Sequence, residues 1–470
     1  MKKETELKKT ELKKTETVKK TETVSKPKAG KEPEAADKPG VVSRLEAAKV
    51  PALSKKPELL IPAGNLETLK TAVRYGADAV YIGGEAFSLR AKADNFDTET
   101  MRAGILYAHA HGVKVYVTAN IFAHNADLPK VRAYLSELRM LQPDALIISD
   151  PGIYRLCREI VPELELHIST QMNNTNYETY LFWHALGAKR VVSARELSLS
   201  EIREIRAHIP EDMEIESFIH GAMCISYSGR CLLSSFMTGR EANCGACTHP
   251  CRWNYRLMER EYALTEEKRP GEYFPVMENE RGTYIFNSKD LCMIEHIPEM
   301  LEAGIDSFKI EGRMKTQLYV ATVARTYRKA IDDYFESPEL YRANMACYRE
   351  EIGKCTYRAF TTGFYFGKPG TDAQIYDNNT YIRNYTYLGC IEDILPDGRT
   401  ALLQKNKFST GDEIEIMKPD FSNVKTKVLG IWKRETGEEM PSCPHASEEL
   451  LVQFSVRPEK GDILRVKSGE

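Results

Sequence analysis

The sequence contains no apolar run long enough to cross a membrane, and it has no hydrophobic N-terminal segment followed by a signal cleavage pattern. We therefore expect a cytoplasmic protein with no membrane partner. Of the 470 residues, 42% are hydrophobic and 28% are charged, which is ordinary for a soluble globular protein. A chain of this length has room for two or three domains.

Several common catalytic motifs are also missing. No G-x-G-x-x-G follows the first apolar run, which argues against a doubly wound dinucleotide-binding sheet. Neither H-E-x-x-H nor G-x-S-x-G occurs, so the common classes of zinc and serine peptidase have little support.

The first 56 residues differ in composition from the rest of the chain. They repeat Lys-Lys-Thr-Glu with small variations and then become rich in Pro, Ala and Lys, so they lack the apolar residues that a core needs. We expect residues 1–56 to form a disordered tail with 16 Lys/Arg and 9 Asp/Glu, a net charge of +7. The remainder has 49 Lys/Arg and 59 Asp/Glu, a net charge of -10, so a nucleic-acid partner would have to contact a local basic surface or the tail.

After this tail, short apolar runs alternate with amphipathic helical stretches. Such runs of Val, Ile and Leu fit strands buried on both faces of a parallel sheet. Asn65 and Asp97 are candidate N-caps of the first two helices, and Gly76 and Gly112 are candidate helix ends. Eight runs, each followed by helical sequence, predict a (β/α)8 TIM-like barrel over residues 57–335. The runs are 59–62, 79–82, 113–118, 145–149, 166–169, 190–193, 214–219 and 307–310.

Three further parts complete the predicted organisation. The connection between the seventh and eighth strands, at about 220–305, is very long, and insertions of that size are usually functional. A connecting segment follows the barrel at 336–377. From 378 to 470, short strands separated by tight turns predict a small antiparallel β-barrel.

The insertion holds the strongest chemical signal, a group of cysteines. Thiolates clustered this densely in a cytosolic protein favour a soft metal over disulfides, and zinc or an iron–sulfur cluster would use about four of them. Zinc bound by Cys244, Cys247 and either His249 or Cys251 stays possible, although only one C-x2-C pair is present. The cysteines of the insertion are Cys224, Cys231, Cys244, Cys247, Cys251 and, near its end, Cys292.

The carboxyl ends of the predicted strands give a second set of candidates, because a TIM barrel places its chemistry there. Lys309 and Glu311 alternate along the eighth strand, so pairing with each other inside the barrel is an alternative to a functional role. Residues at or near these ends are Gly83, Gly84, Arg90, Asn120, Asp150, Gln171, Arg195, Glu196, His220, Glu311 and Arg313.

The stretch from Glu216 to Ser234, ESFIHGAMCISYSGRCLLS, resembles the signature of the collagenase-like peptidases of unknown catalytic type. Glu, Phe, Gly-Ala-aliphatic-Cys, Gly-x-Cys and aliphatic-Ser all occur at the spacing of that family. CGACTHPCRW, NSKDLC, FKIEGRMK and the opening ELLIPAGNLETLKTAVRYGADAVYIGG are similar too, so the resemblance covers about residues 57–470. Within the family, the chain is most similar to the prephenate-dependent tRNA uridine hydroxylases, which form 5-hydroxyuridine at the wobble position.

This resemblance implies a cofactor, a co-substrate and a partner. It implies a four-iron–four-sulfur (4Fe-4S) cluster, tRNA as the substrate and prephenate as the co-substrate. A dicarboxylate needs cationic partners, and side chains that move protons must lie nearby. The expected cluster ligands are Cys224, Cys231, Cys247 and Cys292; the expected catalytic residues are Glu216, His220 and Glu311; the expected substrate-binding residues are Arg90, Asn120, Gln171, Arg195, Lys309 and Arg313.

Two other functions stay open. One is a collagenase-like peptidase, as the name of the family suggests. The other is an RNA-binding protein without catalytic activity, in which a metal only holds the insertion together.

Overall fold

The computed structural model describes residues 55–84, 95–223, 288–369 and 381–468, together with isolated positions of the insertion. Those positions are 227, 231 and 234, and the backbone of 263–264, 274–275, 277–279 and 282–284. No helix in this part of the chain is long and apolar enough to cross a membrane. The predicted tail up to residue 54, and the candidates Arg90, Cys224 and Cys247, lie outside the described residues.

Strands and helices alternate regularly up to the insertion. The elements are β1 (Glu58–Pro62), α1 (Leu66–Arg74), β2 (Ala79–Gly83), α2 (Thr98–Ala110), β3 (Lys114–Ala119), α3 (Leu128–Leu141), β4 (Ala145–Ile148), α4 (Pro151–Ile160), β5 (Glu165–Ile168), a 3-10 turn (Thr170–Met172), α5 (Tyr177–Ala185), β6 (Arg190–Val192), α6 (Leu199–His208) and β7 (Glu214–Ala222).

The insertion and the segment after it contain short strands and four more helices among the described residues. The elements are β8 (Ala263–Leu264), β9 (Phe274–Pro275), β10 (Met277–Asn279), β11 (Gly282–Tyr284), β12 (Asp290–Cys292), α7 (Ile297–Glu302), β13 (Ser307–Ile310), α8 (Gln317–Glu336), α9 (Pro338–Ala343), α10 (Met345–Ile352) and β14 (Phe360–Thr361).

Eight parallel strands close into a barrel, which confirms the predicted fold. Strands β1 to β7 pair in sequence order, and β13 pairs with both β1 and β7 to complete the ring. Each predicted apolar run falls on one of these eight strands. Side chains that point outward from the strands join the core beneath the helices, whereas Leu60, Tyr81, Tyr116 and Ile147 belong to a separate cluster inside the barrel.

The predicted helix boundaries are also confirmed. The side chain of Asn65 accepts a hydrogen bond from the N–H of Thr68, and the carboxylate of Asp97 accepts one from the N–H of Thr100. These bonds satisfy donors that have no partner within the first turn of a helix. Gly76 follows the end of α1 and has a φ of +105°, a conformation that a residue without Cβ adopts readily.

The insertion returns to the barrel beside its seventh strand. Strand β7 is nine residues long, and its last residues pair antiparallel with β12, so that Cys292 lies opposite His220. Strand β14 then pairs with β12 on its other side. After β14 the chain folds over the barrel: Tyr365 is buried and its hydroxyl donates to the carbonyl oxygen of Phe218.

The C-terminal region forms a second, antiparallel barrel, as predicted. Six of its strands close into a ring because β17 and β18 pair, and β19 extends the edge of β18. Its core contains the side chains of Leu388, Ile416, Val428 and Leu464. The strands are β15 (Tyr385–Ile394), β16 (Thr400–Leu403), β17 (Glu413–Met417), β18 (Asn423–Lys433), β19 (Glu439–Met440), β20 (Glu449–Phe454) and β21 (Ile463–Lys467).

A buried ion network joins the two barrels. Glu351 of α10 pairs with Arg325 of α8, and the guanidinium of Arg465 in β21 lies 2.7 Å from the same carboxylate. Burial alone would raise the pKa of Glu351, but the positive charges of Arg325 and Arg465 hold that pKa well below its usual range. Arg325 also donates to the carbonyl oxygen of Lys418, 2.7 Å away, so the helix is tied to the second barrel.

Replacing Glu351 by Gln should therefore destabilise the protein strongly. Without the carboxylate, Arg325 stays buried without its counterion, while Arg465 keeps its pair with Glu415; breaking a buried pair in this way costs about 3–5 kcal/mol. The free energy of unfolding from urea titrations measures the effect. Glu339→Gln, which removes an exposed ion pair with Arg342, is the matched control and should leave the midpoint unchanged. Equal midpoints for both variants would contradict the importance of this network.

Candidate active site at the mouth of the barrel

A network of ion pairs lies inside the barrel, near the amino ends of its strands. Arg190, at the start of β6, lies 2.6 Å from Glu58 of β1 and 2.6 Å from Glu214 of β7. It also contacts Glu216 at 3.1 Å, and the other oxygen of Glu216 accepts from Lys309 of β13 at 2.6 Å. Four strands, β1, β6, β7 and β13, are therefore connected through charged side chains inside the barrel.

Glu216 is completely buried at the centre of this network. Burial would raise its pKa, but the charges of Lys309 and Arg190 lower that pKa below its usual range, so the carboxylate stays ionised. Lys309 pairs with Glu216 and not with Glu311, so the alternative pairing that the alternation of the eighth strand suggests is wrong. The ammonium group of Lys309 also lies 4.5 Å from the centre of the Tyr81 ring. The catalytic role of Glu216 and the substrate-binding role of Lys309 stay predictions.

Arg195 and Glu311 form the next layer, at the carboxyl ends of the strands. The guanidinium of Arg195 lies 3.3 Å from the carboxylate of Glu311 and donates to the carbonyl oxygen of Ala222 at 2.8 Å. It also lies 3.9 Å from the centre of the Phe218 ring, a cation–π contact that holds the guanidinium flat. Phe218 was not among the predicted site residues. Its position two residues after Glu216 on one strand was the signal that could have identified it.

Arg313 and two amide side chains complete this layer. Arg313 donates to the hydroxyl of Thr118 at 2.9 Å and to Asn95 at 3.2 Å. Asn120 and Gln171 are buried at the ends of β3 and β5, and Gln171 accepts from the hydroxyl of Ser149 at 3.0 Å. Thr118 and Asn95 were not among the predicted site residues; Thr118 ends the third apolar run, and nothing in the sequence singles out Asn95.

Some polar atoms of this layer have no hydrogen-bond partner within the described part of the chain. They are Oδ1 of Asn120, Nε2 of Gln171 and Nε of Arg195, each of which is buried. A buried polar group without a partner costs about 1–3 kcal/mol, so such groups are rarely left unsatisfied in a folded protein. Three of them at the carboxyl ends of β3, β5 and β6 are typical of a site that binds a polar ligand.

His220 faces outward from the barrel. Its Nδ1 lies 3.4 Å from the hydroxyl oxygen of Tyr327, and its ring packs against Tyr319 and Phe360. Burial and the charge of Lys315 lower its pKa to about 3. The imidazole is therefore neutral at physiological pH, and its predicted role as a proton carrier stays a prediction.

The structure describes two of the four predicted cluster ligands. Cys292 is partly buried, and its Sγ lies 3.8 Å from the hydroxyl oxygen of Tyr327; burial raises the pKa of this thiol to about 11. Cys231 is also partly buried, and both thiols are free. Among the described residues, no three Cys, His, Asp or Glu side chains come together as a metal site. The ligand set stays a prediction, because Cys224 and Cys247 lie outside those residues; Cys292, a free thiol next to the end of β7, fits it in chemistry and position.

Comparisons with known proteins match nearly the whole of this architecture. The model of peptidase family U32 matches residues 64–375, which include the barrel and the insertion. The model of the family's C-terminal domain matches residues 383–465. The chain belongs to peptidase family U32.

Relatives within this U32 family have three kinds of name. The "tRNA hydroxylation protein P1" of Bacillus subtilis is 43% identical over 405 residues, which cover 86% of this chain and 93% of the relative. An "uncharacterized protease" of Methanocaldococcus jannaschii is 44% identical and covers 66% of this chain and 73% of that protein. The "23S rRNA 5-hydroxycytidine C2501 synthase" of Escherichia coli is 36% identical over 60% of this chain and 40% of its own length.

The network inside the barrel should make stability depend on acidity. Burial would raise the pKa of Glu58, but Arg190 lowers it more strongly, to about 2. Because the folded pKa lies below the unfolded one, the stabilisation is complete above about pH 4.5 and is lost as the pH falls towards 2. We expect Glu58 to account for about 3 kcal/mol of that loss. Urea denaturation between pH 6 and pH 2 should give a smaller decrease for Glu58→Gln than for wild type. The exposed Glu67→Gln control should follow wild type, and parallel curves for all three proteins would refute the assignment.

Proposed function

We propose that this chain is a tRNA-modifying enzyme that hydroxylates C5 of the wobble uridine, with a 4Fe-4S cluster as cofactor and prephenate as co-substrate. The observation that carries this proposal is the similarity, over nearly the full length of both chains, to a protein named for tRNA hydroxylation. A second relative, similar over 60% of this chain, is named as a synthase of 5-hydroxycytidine in 23S rRNA. Hydroxylation of RNA is what these two names have in common.

The mouth of the first barrel is the region best suited to this reaction. Hydroxylation of a pyrimidine is redox chemistry, which side chains do not perform without a cofactor. A cluster bound by Cys224, Cys231, Cys247 and Cys292 would supply electrons or an open coordination position. Cys292 lies beside the end of β7, and Cys224 follows that strand by two residues in the sequence, which supports a cluster near the mouth.

The cations of the mouth suit a dicarboxylate co-substrate. Arg195 and Arg313 lie in the layer nearest the carboxyl ends of the strands, whereas Lys309 lies below them and is neutralised by Glu216. Guanidinium groups bind carboxylates through two parallel hydrogen bonds, which orients the ligand as well as attracting it. We propose that Arg195 and Arg313, in preference to Lys309, bind the carboxylates of the co-substrate. Asn120 and Gln171, with their unsatisfied amide atoms, are then available for the neutral groups of the ligand.

A wobble base is a suitable RNA substrate for a site of this shape. Proteins that act on RNA bases generally take them from loops, where the bases are unstacked or are easily turned outward. The base would enter the mouth from the anticodon loop without disruption of a duplex.

Peptidase activity is the second candidate, because the family and one relative carry that name. The absence of the common peptidase motifs from the sequence gives this candidate no catalytic residues. Hydrolysis of a collagen-like peptide by the purified protein, with no change in tRNA, would favour it over RNA hydroxylation.

Replacing Cys292 by Ala should remove both the cofactor and the modification. We expect the variant, purified without oxygen, to lose its iron and acid-labile sulfide, and cells that depend on it to lose 5-hydroxyuridine derivatives from their tRNA. Metal analysis and mass spectrometry of tRNA nucleosides measure these effects. Cys347→Ala, which alters an exposed free thiol of α10, is the control and should resemble wild type. Full iron content and full modification in Cys292→Ala would refute the assignment, and stoichiometric zinc without iron in wild type would refute the cluster.

Replacing Arg195 by Lys should weaken binding of the co-substrate. Lysine keeps the positive charge but cannot make two parallel hydrogen bonds, and loss of a charged hydrogen bond costs about 1.5–3 kcal/mol. We expect KM for prephenate to rise by about 10–100-fold in steady-state assays. Arg132→Lys, on the surface of α3, is the matched control and should keep the wild-type KM. An unchanged KM in Arg195→Lys would exclude Arg195 from the co-substrate site.

A further inference from the structure

A cleft with a volume of about 580 Å³ lies between the two barrels. One wall is formed by the residues that follow β1 and β13 and by the beginning of α8, including Asn65, Lys315 and Thr316. The other wall belongs to the C-terminal barrel and includes Arg383, Tyr385 and Lys405. Its volume lies within the range of about 300–1,000 Å³ that is typical of ligand sites.

All charged residues in the described lining of this cleft are basic. Lys315, Arg383 and Lys405 are basic, and no Asp or Glu belongs to its described lining. Within the described residues, none of the three forms an ion pair, although Lys315 lies 4.6 Å from the centre of the Tyr381 ring. Most other cations between the barrels have carboxylate partners; Arg74 and Lys418, for example, both pair with Asp462. Three unpaired positive charges around one cavity attract an anion.

The cleft lies at the same end of the first barrel as the candidate active site. Asn65 comes three residues after β1, and Lys315 comes five residues after β13, so both belong to the loops at the carboxyl ends of those strands. These loops are tightly packed, because a Cβ on Gly64 would lie 2.3 Å from the carbonyl oxygen of Arg313. A chain of nucleotides that leaves the mouth in this direction would therefore reach the cleft.

A hydrogen bond joins the two walls, since the hydroxyl of Tyr387 in β15 donates to Gln317 of α8 at 2.8 Å. Within the second wall, Asn406 donates to the carbonyl oxygen of Tyr387 at 2.7 Å. The backbone segments that carry the cations are therefore fixed relative to one another, and an extended ligand would contact the cations at constant distances along its length. A preorganised site of this kind loses little entropy when its ligand binds.

We propose that this cleft binds the sugar–phosphate backbone of the RNA substrate, next to the nucleotide that enters the mouth. This inference rests on the proposed function and adds where the RNA is held. Phosphate contacts fix the register of a nucleic acid on a protein without reading its sequence. Within residues 57–470 such contacts need a local basic surface, because that part of the chain carries a net charge of -10. Amide and hydroxyl groups of the lining, such as those of Asn406 and Thr386, are suited to phosphate and ribose oxygens.

The double variant Arg383→Gln/Lys405→Gln of the full-length protein tests this proposal. It should bind tRNA at least several-fold more weakly, and the slope of log Kd against log salt should decrease by about 1.4, about 0.7 for each lost contact with a single strand. Turnover at saturating tRNA should stay at the wild-type value, because neither side chain touches the reacting nucleotide.

The matched control is Lys425→Gln/Lys427→Gln. These two lysines are exposed on β18, which lies across the closed C-terminal barrel from β15, and the control removes the same number of charges. It should bind tRNA like wild type. Equal weakening in both double variants would mean that only overall charge matters, and it would overturn the proposal, as would wild-type affinity in the cleft variant.

Two further outcomes separate this proposal from the proposed function. If wild type modifies tRNA but the cleft variant changes only the KM for prephenate, the cleft binds a small anion and the RNA-backbone proposal is wrong. If wild type neither binds nor modifies tRNA, the proposed function itself fails and this inference fails with it.

Discussion

The contact between Glu216 and its two cations is the interaction on which the rest of the structure depends. The chain leaves the first barrel after β7 and returns only at β13, so closure requires two strands separated by a long insertion to meet. Closing such a loop costs conformational entropy. Glu216 on β7 pairs with Lys309 on β13 and with Arg190 on β6, and Arg190 continues to Glu58 on β1. The charged network therefore spans the seam at which the barrel closes.

The position of this network also determines the geometry of the mouth. Strand β7 runs from Glu216 past Phe218, whose ring supports Arg195, to the cysteine-rich insertion. Gly221 allows the strand to pass close to the next one, because a Cβ there would lie 2.5 Å from the carbonyl oxygen of Glu311 and φ is +112°. The layer of Arg195, Glu311 and Arg313 therefore lies next to the network of Glu216 and its cations, on the same strands. Polar side chains that are fixed in this way are preorganised for a ligand.

The sequence was sufficient to predict the architecture because that information is local. Parallel strands covered on both faces are recognisable as continuous apolar runs, and caps such as Asn65 and Asp97 act on their own helices. Side-chain partners across the barrel are not local, so Lys309 could be placed on its strand but not assigned to Glu216. His220 shows a second limit: the register between β7 and β13 shifts after Phe218 and Lys309, and the extra residue turns the imidazole towards α8. No sequence pattern indicates that shift in register.

The second barrel belongs to the same framework, because Tyr327 of α8 packs against His220 of the first barrel and Arg325 of α8 donates to the carbonyl oxygen of Lys418 in the second. The mouth and the cleft beside it are consequently held together, which suits the large substrate that we propose, tRNA. The most direct test of RNA hydroxylation is to incubate protein purified without oxygen with prephenate and tRNA that lacks the modification, and to analyse the nucleosides by mass spectrometry. We predict that a uridine of the anticodon loop gains one oxygen atom. Unmodified tRNA after incubation with protein that contains its full complement of iron and sulfide would contradict the account.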